Sequence, residues 1–322
     1  MLQNKTLKTV FKTAVGLVLF VWVSYALYHQ IRQQPNLQQS INSLLLNWSK
    51  EGYTLFTAIF LLMIANYSIE AKKWQLLVQS TERIPFFRSL QSVLTGIAIS
   101  LLTPNRVGEY VGRILYLKNV HKWQGIGVTM MGSFAQFIVT AVFGLAGLIY
   151  YILNIQSTTM LKVFMAVSMI GCSFLIYLYF HIHQFIHWIG HFAFLKKIIK
   201  YLQAVRQFDK RLLVKVLFMS ALRYSIYATQ FFLLLKLCFV QAHPMDLYFS
   251  IALIFWAMAI LPTIAIAEIG IRGEAALFFL LPLSTNQLGI VSATILLWFI
   301  NLIIPALLGC LFMYKIKIYD EE

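Results

Sequence analysis

The sequence predicts an all-α polytopic membrane protein with about six full spans and two short, broken, re-entrant hairpins arranged as an inverted repeat. Hydrophobic residues make up 60% of the 322-residue chain and charged residues only 11%, whereas soluble domains carry about 25% charged residues. The apolar residues also occur in blocks close to the roughly 20 residues that a helix needs to cross a bilayer. Basic residues are concentrated between these blocks, which is typical of membrane topology signals.

Six apolar blocks are long enough to cross a bilayer with some tilt. The predicted spans are 13–28, 54–71, 124–151, 161–180, 216–238 and 288–313. The first block follows three lysines and lacks a small-residue cleavage pattern, so we expect an uncleaved span rather than a signal peptide. Cys172, Cys238 and Cys310 lie inside apolar segments without paired spacing, so they are expected to be buried thiols.

Two further apolar stretches are interrupted. The first, 90–113, contains Pro104, and basic residues flank it on both sides, so it is expected to enter and leave by the cytoplasmic face. The second, 248–283, contains Pro262 and a charged run, and it is expected to start and finish outside. Both stretches are therefore predicted to be re-entrant hairpins.

The charge distribution supports this topology. Of the 26 Lys and Arg residues, the arrangement places 20 inside, 4 outside and 2 within the membrane, namely Arg223 and Arg272. It places both termini in the cytoplasm and the protein in the cytoplasmic membrane. The net charge of +15 is spread over segment ends, which favours an anionic lipid surface over nucleic acid as a partner.

The two hairpins also suggest internal symmetry. Pro104 and Pro262 are 158 positions apart in a chain whose half-length is 161. We therefore expect one integral membrane domain, 1–322, built from a first repeat, 1–155, and an inverted second repeat, 156–322. Inverted repeats with broken helices near the midplane are a recurring plan of secondary transporters.

The first hairpin carries a charged motif. Thr103 and Pro104 suit a helix start, and Arg106, Glu109 and Arg113 then follow at i, i+3 and i+7 on one face. A helix N-terminus with nearby arginines is suited to binding an anion such as phosphate. The alternative is an Arg–Glu pair that stabilises the hairpin.

The second hairpin repeats these ingredients with Glu268, Arg272 and Glu274. Glu268 and Arg272 are i, i+4 neighbours in a helix, so a structural ion pair is one interpretation. A carboxylate that binds a coupling proton is another. Arg223, in the fifth predicted span, either snorkels to the interface or faces a polar cavity, and the cavity is the favoured interpretation.

Other polar residues predict no catalytic or metal site. His183, His187 and His191 are spaced at i, i+4 and i+8, but an interfacial amphipathic helix explains them better than a metal site. Gln136 and Asn301 are expected to form interhelical hydrogen bonds. The sequence contains no Gly-rich phosphate loop and no nucleophile elbow, so neither a cofactor nor an enzymatic reaction is predicted.

The motifs resemble those of a known family. Thr103-Pro104-Asn105-Arg106-Val107-Gly108-Glu109, Lys73-Trp74-Gln75-Leu76-Leu77 and Leu261-Pro262 followed by Gly270-Ile271-Arg272-Gly273-Glu274 resemble the membrane region of lysylphosphatidylglycerol synthases. The resemblance covers nearly the whole chain. It implies flipping of an aminoacylated phospholipid, and it carries ligand-binding roles to Arg106, Glu109, Arg272 and Glu274. The chain ends soon after its last span, so the synthase activity is not expected.

The leading prediction is a flippase-like transporter that moves an anionic or aminoacylated phospholipid, or a lipid-linked molecule, between leaflets. Its ligands would be membrane lipids, with a homodimer or a lipid-synthesis protein as a further partner. Two alternatives stay open: a membrane-embedded transferase acting on a lipid, and a non-transporting member of a lipid-synthesis complex.

Overall fold

The computed structural model describes residues 50–101, 103, 107–118, 122–189, 203–261 and 265–314, and the described part is helical throughout its regular structure. The helices are α1 (Lys50–Val78), α2 (Phe86–Ser100), α3 (Gly108–Ile114), α4 (Lys122–Asn154), α5 (Thr159–Phe180), α6 (Ile182–Ile189), α7 (Lys210–Leu237), α8 (Pro244–Ile260), α9 (Ala265–Leu280), α10 (Gln287–Trp298) and α11 (Ile304–Tyr314). A 3₁₀ turn, Gln203–Gln207, precedes α7, and a π turn, Phe299–Ile303, joins α10 to α11. The predicted all-α polytopic membrane fold is confirmed.

Five stretches in the described part of the chain are long and apolar enough to cross a bilayer. They are α1, α4, α5, α7 and the continuous rod α10–π turn–α11, and they match five of the predicted spans. The sixth predicted span, 13–28, lies outside the described residues. The helices extend beyond the apolar blocks; α7 begins at Lys210 rather than 216.

Side-chain caps fix several of these helix starts. The Asp209 carboxylate accepts a hydrogen bond of 2.8 Å from the Leu212 N–H at the start of α7. The Thr158 hydroxyl accepts from the Leu161 N–H at 3.2 Å at the start of α5, and Asn286 Oδ1 accepts from the Gly289 N–H at 2.9 Å in α10. Each cap satisfies a backbone donor that the first helical turn leaves unpaired.

Helices α2 and α3 form an antiparallel hairpin. A Cβ built on Gly108 would collide with Ile99, and one built on Gly112 would collide with Gly96, so contacts move back along α2 as α3 advances. The Thr103 hydroxyl accepts a hydrogen bond of 2.7 Å from the Gly108 N–H. Helix α3 therefore begins at Gly108, later than the start expected at Pro104, which itself lies outside the described residues.

Helices α8 and α9 pack against each other in the second broken stretch. Pro244 occupies the first turn of α8, where its missing N–H costs no helical hydrogen bond. The helix ends at Ile260, and α9 begins at Ala265. The intervening Pro262 lies outside the described residues.

The two parts of the chain interlock. Helix α1 packs along α7, α4 packs along α8, and α11 packs along α2. Glycines allow two of these close approaches, because a Cβ on Gly144 would overlap Trp256 of α8 and one on Gly309 would overlap Leu94 of α2. One large apolar core, which includes Trp74, joins the helices. Cys172, Cys238 and Cys310 are buried and free, as expected.

The π turn interrupts the last rod at the level of the core. In a π turn the backbone bonds reach from residue i to i+5, which shifts the helix register locally. The Tyr67 hydroxyl of α1 donates to the Asn301 carbonyl oxygen inside this turn. The turn therefore ties the last rod to α1.

Candidate functional site

A cavity of about 570 Å³ lies among α1, α4, α7, α8, α9 and the end of α10. Its polar wall is formed by Asn66, Gln136, Thr140, Arg223, Arg272 and Asn301. Aromatic rings form another part of the wall: Tyr67, Tyr224, Tyr227, Phe255 and Trp298. This volume falls within the range of about 300–1,000 Å³ that small-molecule sites occupy.

The cavity lies near the middle of the spans. Arg223 is 13 residues after Lys210 and 14 before Leu237, which is about 20 Å from either end of α7 at 1.5 Å per residue. Ile260 and Leu261, at the end of α8, also line the cavity and are exposed. The wall therefore combines mid-membrane arginines with an apolar edge at the tip of the second hairpin.

Arg272 reaches the cavity from α9. Its side chain is buried, and its Nη1 donates a hydrogen bond of 3.0 Å to the Tyr227 hydroxyl of α7. The Tyr227 ring is stacked on Phe255 with centroids 4.8 Å apart. Stacking on Phe255 therefore holds the Tyr227 ring in place, and the Tyr227 hydroxyl in turn positions the Arg272 guanidinium.

Arg223 links the cavity to a buried ion cluster, which we call the Glu70 cluster and define as Glu70, Lys73, Glu109, Arg113 and Arg223. The Glu70 carboxylate lies 2.7 Å from Lys73 Nζ, 2.7 Å from Arg113 Nη2 and 2.9 Å from Arg223 Nη1. Arg113 also pairs with Glu109. Two carboxylates and three cations leave the cluster with a net charge of +1 beside the cavity.

The cluster holds three helices together. Glu70 belongs to α1, Arg113 to α3 and Arg223 to α7, and the side chains of Glu70, Lys73 and Arg113 are at most 4% exposed. The Arg113 guanidinium also lies 5.5 Å from the centre of the Trp74 ring, which adds a cation–π contact. Burying unpaired charges at this depth would be costly, so the ion pairs are needed for the helices to pack.

The predicted ligand residues occupy different positions. Arg223 and Arg272 line the cavity, and Arg223 faces it as favoured above. Glu109 and Arg113 lie in the Glu70 cluster and form the Arg–Glu pair that was the alternative interpretation. Glu274 is exposed on α9, outside the described cavity wall.

Two of the candidates cannot be placed. Arg106 lies outside the described residues, and so does the side chain of Glu268. The expectation that Glu268 pairs with Arg272 or binds a proton therefore stays a prediction.

Sequence reasoning missed Glu70 as the centre of the cluster. Asn66, Glu70, Lys73 and Trp74 follow at i, i+4, i+7 and i+8, so they share one face of α1. Asn66 contributes by accepting a hydrogen bond of 2.8 Å from Arg223 Nε. An intramembrane carboxylate on a polar helix face was the signal that could have identified it.

The expected interhelical role of Asn301 is wrong for its side chain, because its Nδ2 donates to the Leu297 carbonyl within the same rod at 3.2 Å. Gln136 does reach another helix, since its Nε2 lies 3.5 Å from the Ser220 carbonyl oxygen of α7. In the last rod, the backbone carbonyl of Asn301 makes the interhelical bond instead.

The histidines in the described part of the chain do not come together as a metal site. His183 Nε2 lies 2.9 Å from the Phe208 carbonyl oxygen, where α6 packs against the 3₁₀ turn. His191 lies outside the described residues. The described residues contain no group of three or more His, Cys, Asp or Glu side chains arranged to hold a metal ion.

Comparison with known proteins agrees with this architecture. A search of curated proteins finds no match. Comparison with protein families matches residues 9–309, nearly the whole chain, to the family described as "Lysylphosphatidylglycerol synthase TM region". The chain therefore belongs to the lysylphosphatidylglycerol synthase transmembrane-region family, and it is a multi-pass membrane protein linked to lipid handling.

Proposed function

We propose that this protein is a flippase-like transporter of the cytoplasmic membrane, with both termini in the cytoplasm. It moves an anionic or aminoacylated phospholipid, or a lipid-linked molecule, between the leaflets. The observation that carries the proposal is the mid-membrane cavity lined by Arg223 and Arg272. Ionisable residues at this depth are usually functional or paired, and here they face a space large enough for a headgroup.

The cavity wall suits an amphiphilic ligand. The guanidinium groups of Arg223 and Arg272 offer positive charge and N–H donors to a phosphate. The exposed Ile260 and Leu261 form an apolar edge at one side of the cavity. A headgroup would occupy the polar part while its acyl chains leave past this edge into the bilayer.

The order of the helices supports an inverted repeat of 1–155 and 156–322. A long helix, a short helix pair and a second long helix occur as α1, α2–α3 and α4, and again as α7, α8–α9 and α10–α11. The packing of α4 on α8 has its counterpart in the packing of α11 on α2. In each half, therefore, the second long helix packs against the hairpin of the other half. This packing favours a mechanism in which the two halves rock against each other, the usual basis of alternating access.

An arginine in each hairpin also bonds to the long helix that precedes that hairpin. Arg113 of the first hairpin bonds to Glu70 of α1, 43 residues earlier, and Arg272 of the second bonds to Tyr227 of α7, 45 residues earlier. Arg113 lies in the Glu70 cluster, whereas Arg272 lies in the cavity wall. The proposed ligand site lies on the side of Tyr227 and Arg272, while Glu70 and Arg113 stabilise the first half.

A leaflet-accessibility assay in liposomes tests the proposal, with fluorescent lipids that carry anionic, zwitterionic and aminoacylated headgroups. Wild-type protein should move a subset of these lipids to the outer leaflet. Arg272→Gln should lower the rate at least about tenfold, because a charge-assisted hydrogen bond contributes about 1.5–3 kcal/mol. Arg272→Lys should retain part of the rate, since it keeps the charge but loses the fork.

Arg211→Gln is the matched control, because Arg211 is exposed near the start of the same helix as Arg223. It should leave the rate unchanged, whereas Arg223→Gln should lower it. Normal rates for both cavity variants would exclude the assigned site. Mass spectrometry of the recovered lipid distinguishes the transferase, which would leave a covalent product, and activity that needs a co-purified protein would indicate the non-transporting partner.

A further inference from the structure

Arg223 is the member of the Glu70 cluster that borders the cavity. Its side chain is 25% exposed and lines the cavity, whereas the side chains of Lys73 and Arg113 are at most 3% exposed and lie outside the cavity wall. Protein therefore encloses two of the three cations of the cluster. The third, Arg223, faces a space that a ligand can enter.

Arg223 can also leave the cluster without depriving a carboxylate of its cation. Glu70 would keep Lys73 and Arg113, each at 2.7 Å, and Glu109 would keep Arg113. The four remaining side chains carry two positive and two negative charges, so their net charge is zero. Arg113 differs from Arg223, because its departure would leave Glu109 without a cation in the cluster. The excess positive charge of the cluster is therefore carried by Arg223.

The contacts that hold Arg223 to α1 are few. Arg113 Nη2 donates a hydrogen bond of 2.7 Å to Glu70 Oε1. Arg223 Nη1 lies 2.9 Å from Glu70 Oε2, but that oxygen accepts no hydrogen bond from the described residues. This contact is therefore an ion pair without hydrogen-bond alignment. The bond from Arg223 Nε to Asn66 Oδ1, at 2.8 Å, is its directional contact with α1.

The cavity side of Arg223 favours an anion. The described part of the cavity wall contains Arg272 as a second cation and no Asp or Glu, so an anionic group there would meet no described carboxylate. Helices α1 and α7 would stay joined without the Arg223 contacts, because Gln230 Nε2 donates a hydrogen bond of 3.0 Å to the Ile59 carbonyl oxygen. The guanidinium can therefore change partner while the two helices remain packed.

We propose that Arg223 exchanges between two partners: Glu70 and Asn66 of α1, as in this structure, and the anionic group of a ligand in the cavity. Glu70 is then an internal competitor of the ligand. The inference rests on the proposed function, since it takes the cavity to be the ligand site. It adds that ligand binding releases an ion pair between α1 of the first half and α7 of the second, so that binding and the relative motion of the halves are coupled.

Removing an internal competitor should strengthen anion binding, because the competing contact lowers the apparent affinity. If Glu70 and Asn66 instead positioned Arg223 for the ligand, their removal should weaken binding. The double variant Glu70→Gln, Lys73→Met removes the competing carboxylate and keeps the net charge of the cluster at +1. A gain in its affinity for an anion would therefore not arise from added positive charge.

The assay is equilibrium binding of phosphatidic acid to the purified full-length protein in mild detergent. The double variant should bind about three- to tenfold more tightly than the wild type, the effect of losing one hydrogen bond or ion pair that competes with the ligand. Asn66→Leu leaves the charge unchanged and should shift the affinity in the same direction. It also provides the test if the double variant does not fold.

Two variants and two further probes serve as controls. Adding Arg223→Gln to the double variant should abolish the gain, because the gain acts through Arg223. Asn154→Leu, at the end of α4, is the match for Asn66→Leu and should bind as the wild type does. Diacylglycerol with the same acyl chains lacks the phosphate and should show no gain. Inorganic phosphate distinguishes a free anion from a lipid.

Unchanged or weaker binding of phosphatidic acid by both the double variant and Asn66→Leu would overturn the inference. A gain that persists after Arg223→Gln would overturn it as well. A gain for inorganic phosphate but not for phosphatidic acid would support the exchange and refute a lipid ligand. The gain without translocation in liposomes would refute the proposed function alone, and translocation without the gain would refute the inference alone.

Discussion

Replacing Glu70 by glutamine leaves the shape of the side chain nearly unchanged and removes one of the two carboxylates of the Glu70 cluster. The net charge of the cluster then rises from +1 to +2, with Lys73 and Arg113 still buried. Removing one partner from a buried ion pair leaves a charge that solvent cannot reach, which typically costs about 3–5 kcal/mol. Glu109 still pairs with Arg113, so Lys73 and Arg223 should bear most of the loss.

Thermal unfolding of the purified protein in mild detergent measures the effect. At about 2–4 °C per kcal/mol, the Glu70→Gln midpoint should fall by about 6–20 °C. Adding Lys73→Met should recover part of this loss, because it restores the original net charge of the cluster. Glu274→Gln is the matched control, since Glu274 is exposed on α9, and its midpoint should stay close to that of the wild type.

The reasoning would be refuted if Glu70→Gln unfolded at the wild-type temperature. It would also be refuted if the double variant were no more stable than the single one, because the cost would then not arise from uncompensated charge. A third informative result is loss of lipid transport in the double variant despite recovered stability. That result would indicate that Glu70 also fixes Arg223 in its functional position.

Two further predictions concern the packing of the first hairpin and the contact between the end of α4 and the start of α8. Gly112→Ala should lower stability by about 1–3 kcal/mol, because its Cβ would overlap the backbone of α2, whereas Gly171→Ala, with open space around its Cβ, should be neutral or slightly stabilising in the same unfolding assay. Tyr150→Phe should lower the stability, because it removes the 2.6 Å hydrogen bond to the Asp246 carboxylate. In a double-mutant cycle, Tyr150→Phe combined with Asp246→Asn should cost less stability than the sum of the two single changes, because both changes weaken the same hydrogen bond. Additive losses of stability would contradict the assignment. Tyr151→Phe is the control and should change the stability little.

The spans could be predicted because hydropathy reports directly on the thickness of the bilayer. The ends of the helices could not be predicted in this way, because helical hydrogen bonding continues into polar flanking residues that a hydropathy pattern assigns to loops. Helix α7 begins six residues before its apolar block because Asp209 caps it. Helix α1 runs to Val78 rather than 71 because Trp74 and Leu77 pack into the core and Lys73 joins the Glu70 cluster.

The candidate site was predicted in part. Arg223 and Arg272 stood out as the two basic residues that the predicted topology leaves within the membrane, and both line the cavity. The role of Arg113 could not be deduced, because the partner that neutralises it, Glu70, is 43 residues away. Whether an arginine is available to a ligand depends on such distant partners, which a single sequence does not reveal.

The π turn at Phe299–Ile303 can be viewed as one residue more than a regular helix needs. Removing a residue there would rotate everything beyond it by about 100° relative to α10, because an α-helix has 3.6 residues per turn. The face of α11 that carries Gly309 would then turn away from Leu94 of the first hairpin, while Trp298 would keep its place in the cavity wall. The extra residue therefore sets how far α11 is rotated about the rod axis relative to α10, so that Trp298 lines the cavity while Gly309 packs against Leu94 of α2.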